Sequence, residues 1–209
     1  MLRAKAISPL LVLTLCVCPC FAREKTEIPF NSSQIILETV GQVNNSGSNS
    51  VQFVYAARVA GIANAFSTDA AAEQNESTAR FNFYTEVANL RVTTNGPLTI
   101  IVREGTTTLY LNSSPANFGS PDSFRSGTPI QTSLIHQQVI VDTMEKTFTV
   151  VISNTITATE RFWLDGAEYE LGDVGQIFKT RLVGVLRVRD GSAPPPNGYF
   201  SGYSEGVRK

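Results

Sequence analysis

The feature that most constrains the fold is a stretch, residues 51–190, in which strand-like segments follow one another with only short interruptions. Thr, Val, Ile, Phe and Tyr dominate it, and these residues favour pleated, half-buried backbone. Turn residues separate the segments at hairpin-length intervals, and no long run has the 3.6-residue apolar spacing of an amphipathic helix. The stretch therefore predicts an all-β domain rather than a helical or α/β one.

The turn residues divide this stretch into about eight or nine strands. A bulge is predicted near Val87–Ala88, because the apolar residues change face there, and Asn95-Gly96 is a typical hairpin turn. Glu104-Gly105 is predicted to turn one short strand back onto the next. The predicted strands, with a short first one before the stretch, are residues 34–43, 51–65, 80–94, 98–103, 106–112, 128–142, 147–160, 162–164, 167–171 and 176–189.

So many antiparallel strands without covering helices must either close on themselves or pair in two sheets, since bare edges are a liability. We predict a single closed antiparallel β-barrel of about eight strands, a size whose interior is filled by side chains or holds one small ligand. Segment 128–142 supports closure, because Leu134 lies on one of its faces and Ile135 and Val139 lie on the other. Apolar residues on both faces are expected of a strand that is buried inside and packed outside.

The N-terminus has the pattern of a secretory signal peptide. Arg3 and Lys5 precede a short apolar run at residues 10–15, and Ala22 is a small residue before a polar stretch. The run is shorter than the roughly 20 residues of a membrane helix, so no membrane span is predicted. Residues 1–22 are expected to be removed, which places the protein outside the cell or in the periplasm. All three cysteines lie in this segment, so the mature chain would have none.

Composition divides the rest of the chain into three parts. Residues 23–50 are a polar segment that ends in a low-complexity linker, and residues 51–190 are the barrel domain. Residues 191–209 contain Pro194, Pro195 and Pro196, which remove three backbone donors, and are predicted to be a flexible Pro/Gly-rich tail.

Charge and rare residues exclude several functions. The formal net charge of −1 argues against a nucleic-acid binder. One His and three Cys leave little material for a zinc site or a Cys/His nucleophile. No phosphate-binding glycine loop occurs, and a single His would have to serve every acid–base step of a serine mechanism, so no cofactor or metal is predicted.

Four residues are candidates for a ligand site. His136, the single histidine, could act as an acid, a base or a ligand contact inside the barrel, or could be an ordinary surface histidine. Arg80, Tyr84 and Glu86 share one face of a predicted strand and could form a polar site at the barrel mouth. The alternative is that this face is simply solvated, because strand alternation predicts polar residues there in any case.

A series of turn and strand motifs occupies residues 78–175. It consists of Ala79-Arg80-Phe81-Asn82-Phe83, Gly105-Thr106-Thr107-Thr108-Leu109-Tyr110-Leu111-Asn112, Pro121-Asp122-Ser123-Phe124, Gly127-Thr128-Pro129-Ile130 and residues 162–172. Through these motifs about half of the chain resembles a group of secreted bacterial proteins without a known activity. That group is similar in fold to the allene oxide cyclase and dirigent β-barrels. The resemblance implies a fold and assigns no binding residue.

The sequence is compatible with three functions. The leading hypothesis is a secreted, non-catalytic barrel that binds a small hydrophobic ligand. The second is a cyclase- or isomerase-like enzyme acting on a hydrophobic small molecule, and the third is an exported interaction protein that forms homo-oligomers through its outer face. Glycosylation sequons at Asn31, Asn44, Asn75 and Asn112 matter only in a eukaryotic source.

Overall fold

The computed structural model describes residues 26–28, 34–187 and 197–206. The predicted signal peptide, residues 1–22, lies outside the described residues. The described residues form two short 3₁₀ helices, Ala71–Glu73 and Pro121–Arg125, and eleven strands. The strands are β1 Thr26–Ile28, β2 Ile35–Ser46, β3 Asn49–Val59, β4 Phe81–Asn95, β5 Leu98–Leu111, β6 Thr128–Asp142, β7 Thr147–Thr159, β8 Phe162–Leu164, β9 Ala167–Leu171, β10 Ile177–Arg187 and β11 Asn197–Gly206.

Eight of these strands form a closed antiparallel barrel, which confirms the predicted fold class. The order around the barrel is β2, β3, β4, β5, β6, β7, β10 and β11, and β11 pairs with β2 to close it. Strands that follow one another in the chain are therefore adjacent in the barrel. The one interruption is the β8–β9 hairpin, which lies between β7 and β10 in the chain and is not part of the barrel. Closure leaves no edge strand in the barrel, as the lack of covering helices requires. No helix in the described ranges is long and apolar enough to cross a membrane.

The predicted limits of the barrel domain, residues 51–190, are wrong at both ends. The barrel includes β2, from the predicted polar segment, and β11, from the predicted flexible tail. β11 is paired along its length, with β10 on one side and with β2 on the other. Its inward positions include Gly198 and Gly202, where an added Cβ would lie 2.6 Å from Phe148 and 1.9 Å from a backbone oxygen. Only glycine allows β11 to approach its neighbours this closely. Because glycine has no side chain, the apolar alternation that identifies a strand in a sequence is missing from β11.

The turn predicted at Glu104-Gly105 is also wrong, because β5 is one continuous strand there. A Cβ on Gly105 would lie 2.0 Å from the backbone oxygen of Glu86 on β4, so glycine permits a close approach rather than a turn. The predicted bulge exists a little further along, as a register shift between Asn89 and Arg91. Asp165 and Gly166 form the turn between β8 and β9, with φ of 49° and 81°.

The two ends of the barrel differ in chemistry. One end is apolar: the hairpin of β8 and β9 folds against it, and the rings of Phe81 and Phe162 lie 5.8 Å apart. The other end lies beside the β2–β3 turn and carries polar side chains from three strands, namely Asn45, Asn89 and Arg103. Hydrogen-bonding side chains are therefore concentrated in the interior near this polar end.

Candidate functional site

Strand alternation places the predicted site residues outside the barrel. Phe83 and Thr85 line the interior, so Tyr84 and Glu86 point outward from β4. His136 points outward from β6 in the same way, because its neighbours Ile135 and Gln137 line the interior. Arg80 precedes β4 and forms an ion pair with Asp165 in the turn between β8 and β9. The structure does not bring the four candidates together.

Tyr84 anchors a surface loop. Its hydroxyl donates to the Oδ1 atom of Asp122 over 3.2 Å, and the guanidinium of Arg125 lies 4.7 Å from the centre of its ring. Arg125 in turn contacts Asp122 over 2.8 Å, and Phe124 is fully buried beside the tyrosine ring. Burial first, and then the Asp122 carboxylate, raise the pKa of Tyr84. These contacts hold the loop between β5 and β6 against the outside of the barrel.

Described residues of the interior enclose a pair of small adjoining cavities. Their volumes are about 30 Å³ near the polar end and about 50 Å³ further in. Gln52, Leu182 and Phe200 line both, so they form a layer between the two spaces. A single water needs roughly 10–15 Å³ measured in this way, so the cavities hold a few waters or a small molecule.

Arg103 is the residue of this interior that the sequence reasoning missed. It is only 6% exposed and lines the cavity at the polar end. Its Nε donates to the Oδ1 atom of Asn89 over 2.8 Å, and its Nη2 donates to the Oδ1 atom of Asn45 over 2.9 Å. Among the residues that the structure describes, no carboxylate lies within 4.0 Å of it. Burial lowers the pKa of Arg103 to about 10, which still leaves it protonated at neutral pH.

A second donor lies in the same cavity. Gln137 is fully buried, and its Oε1 accepts a hydrogen bond of 3.0 Å from the Nε2 of Gln52. Among the residues that the structure describes, none forms a hydrogen bond with the Nε2 of Gln137. The cavity thus combines a buried cation with an unused amide donor, and most of its remaining wall is apolar. The sequence did contain a sign that Arg103 points inward. In a strand, alternate residues share a face, and Arg103 alternates with Ile101 and Gly105, which are on the inward face.

The outer face carries a larger space. An open groove of about 550 Å³ runs across β4, β5, β6, β7 and β10. A row of directly opposed polar residues crosses it: Glu104 faces His136, His136 faces Ser153, and Ser153 faces Lys179. The Nδ1 atom of His136 is 3.1 Å from the Oε1 atom of Glu104, and the Nζ of Lys179 donates to the Oγ of Ser153 over 3.0 Å. Of the four predicted residues, His136 lines this groove together with other polar groups.

No protein-family model, curated protein or solved structure matches this chain. In the described ranges no group of three His, Cys, Asp or Glu residues is placed to hold a metal ion.

Proposed function

We propose that the barrel binds a small ligand with a carboxylate head and a short apolar part, through the polar end that contains Arg103. The observation that carries this proposal is the buried guanidinium with no carboxylate beside it among the described residues. The proposal narrows the small hydrophobic ligand expected from the sequence to an amphipathic anion. If residues 1–22 are a signal peptide, this binding takes place after export.

The energetics of a buried cation favour an anionic ligand. Moving an ion out of water costs several kcal/mol unless a charge of opposite sign compensates it. The oxygens of Asn45 and Asn89 supply dipoles rather than a charge, and they use only the Nε and Nη2 atoms of Arg103. A ligand carboxylate would provide the missing charge, and it would accept hydrogen bonds from the guanidinium and from the Nε2 of Gln137.

The rest of the cavity limits the ligand. Val139, Val141, Phe148 and Val150 contribute apolar wall, which suits a hydrocarbon part. The volume, about 30 Å³ with about 50 Å³ beyond the Gln52 layer, suits a chain of a few carbon atoms rather than a long-chain fatty acid. Of the described residues that line the two cavities, none is Asp, Glu, His or Tyr. Because acid–base catalysis needs such groups, we propose binding rather than turnover in the interior.

A titration with matched ligands tests the proposal. Butyrate and its neutral analogue butyramide are added to the ¹⁵N-labelled protein, and amide chemical shifts are followed for wild type and for Arg103→Met. We expect butyrate to shift the resonances of Gln52 and Gln137 and to bind about 10- to 150-fold more tightly than butyramide, the range set by a charged hydrogen bond.

Two arginine variants distinguish a specific role of Arg103 from nonspecific binding of the ligand. Arg103→Met should lose the preference for butyrate, while Arg181→Met, which removes an exposed arginine of β10, should keep it. Equal binding of the charged and neutral ligands by wild type, or no binding of either, would refute the proposed function.

A further inference from the structure

The polar row on the outer face has the composition and order of a catalytic triad. Glu104 on β5, His136 on β6 and Ser153 on β7 are consecutive cross-strand neighbours, and Lys179 on β10 extends the row. Directly opposed residues in antiparallel strands have Cβ atoms about 4.5–5.5 Å apart, which lets adjacent side chains of the row contact one another. The row belongs to the outside of the barrel and is independent of the interior cavities.

Glu104 orients the histidine. The 3.1 Å contact between its Oε1 atom and the Nδ1 of His136 favours the tautomer in which Nδ1 carries the proton. In that tautomer Nε2 is an unprotonated acceptor, which is the state a general base needs. The carboxylate is on β5, so the far side of the imidazole ring is the side of β7 and Ser153.

Lys179 forms a hydrogen bond with Ser153 that favours its action as a nucleophile. Its ammonium donates to the Oγ of Ser153, which leaves the hydroxyl proton of the serine available for another acceptor. A neighbouring cation also favours the alkoxide over the alcohol. His136 lies directly opposite Ser153 in the register. We expect the serine hydroxyl to turn towards Nε2 when substrate binds, because catalytic hydrogen bonds often form only in the complex.

The groove supplies a place for a substrate. Its volume of about 550 Å³ lies in the range of small-molecule sites, which are mostly apolar with a few convergent polar groups. Leu90, Val102 and Val151 form its apolar part, and Arg91 and Lys179 bring positive charge to its lining. Such a surface suits an apolar acyl chain next to a carbonyl that develops negative charge.

We propose that this groove hydrolyses small esters with an apolar acyl group, with Ser153 as nucleophile and His136 as general base. The Oγ of Ser153 forms a bond to the ester carbonyl carbon while its proton passes to Nε2 of His136, and Lys179 stabilises the oxyanion. The ester C–O bond then breaks, and His136 returns the proton to the departing alkoxide. A water molecule, deprotonated by His136, attacks the acyl-serine, releasing the carboxylic acid and restoring the hydroxyl of Ser153.

The test joins covalent labelling to kinetics. The full chain is treated with a fluorophosphonate, the modified residue is identified by peptide mass spectrometry, and hydrolysis of p-nitrophenyl butyrate is measured. We expect labelling at Ser153, and a loss of at least 100-fold in both labelling and hydrolysis for Ser153→Ala and for His136→Gln, the range expected for a lost nucleophile or base. Ser201→Ala, an exposed serine of β11, is the matched control and should behave as wild type.

Each outcome decides the assignment. Glu104→Gln should keep the fold but change the pH profile of hydrolysis, because Glu104 acts by positioning the imidazole. Wild-type protein that is not labelled at Ser153, or a Ser153→Ala variant that hydrolyses the ester as fast as wild type, would overturn the proposal. Circular dichroism of each variant shows whether the barrel is intact, and substitutions at exposed sites usually change stability by less than about 0.5 kcal/mol.

Discussion

Replacing Arg103 with methionine should stabilise the free protein, which is unusual for a change at a buried position. Burial lowers the pKa of this guanidinium to about 10, and a lowering of that size corresponds to about 3 kcal/mol of cost for holding the charged form in the fold. Methionine removes that cost and fits an apolar wall with a side chain of comparable length.

The gain is partly offset by lost hydrogen bonds. Asn45 and Asn89 would each lose the guanidinium as a donor, at a net cost of about 1 kcal/mol each. Both asparagines are only half-buried, so water can replace the donor. The expected net change is an increase of about 1 kcal/mol in the free energy of unfolding, or about 2–4 °C in Tm for a chain of this size.

Urea unfolding of wild type, Arg103→Met and the exposed control Arg181→Met measures this directly. The pKa of Arg103 is lowered on folding, so below about pH 10 the guanidinium is protonated in both the folded and the unfolded chain and the full cost of burying the charge is present. That cost is relieved only as the pH rises above 10. The difference between the two proteins should therefore be constant from pH 5 to pH 9. A variant less stable than wild type by 2 kcal/mol or more would show that the charge is compensated, and would refute the reasoning.

Three further predictions concern the barrel itself. Gly105→Ala should lower the free energy of unfolding in urea by at least about 3 kcal/mol, because its Cβ would lie 2.0 Å from a backbone oxygen. The control Gly96→Ala, in an open turn at φ 58°, should lower it by only about 1 kcal/mol. Equal losses for the two variants would contradict the steric explanation. Truncation before residue 197 removes the closing strand, so we expect dye binding to exposed apolar surface and loss of a cooperative transition, and an unchanged transition would refute the closure. Tyr84→Phe should lower stability by about 1 kcal/mol near neutrality through loss of the Asp122 bond. Because the pKa of Tyr84 is raised on folding, stability falls as the pH rises through 10, and the variant should lose less of it in an alkaline titration.

The sequence alone was sufficient to predict closure into a barrel. Alternation of apolar residues identified most of the strands, and the lack of helices left closure as the way to remove edges. It was insufficient for the last strand, because Gly198 and Gly202 occupy inward positions where a hydrophobic pattern would be sought. The need for glycine there arises from contacts with β10 and Phe148, which are distant in the chain.

Which residues share a face could also be predicted, but which face lies inside could not. The period of two in a strand places Ile135 and Val139 together and His136 with Leu134, and both sets contain apolar residues. Only the curvature of the closed sheet decided that the first set is enclosed, and the pairing register then placed Arg103 inside and Glu104 outside. The physical reason is that alternation is a property of one strand, whereas the inside of a barrel is defined by all eight strands together.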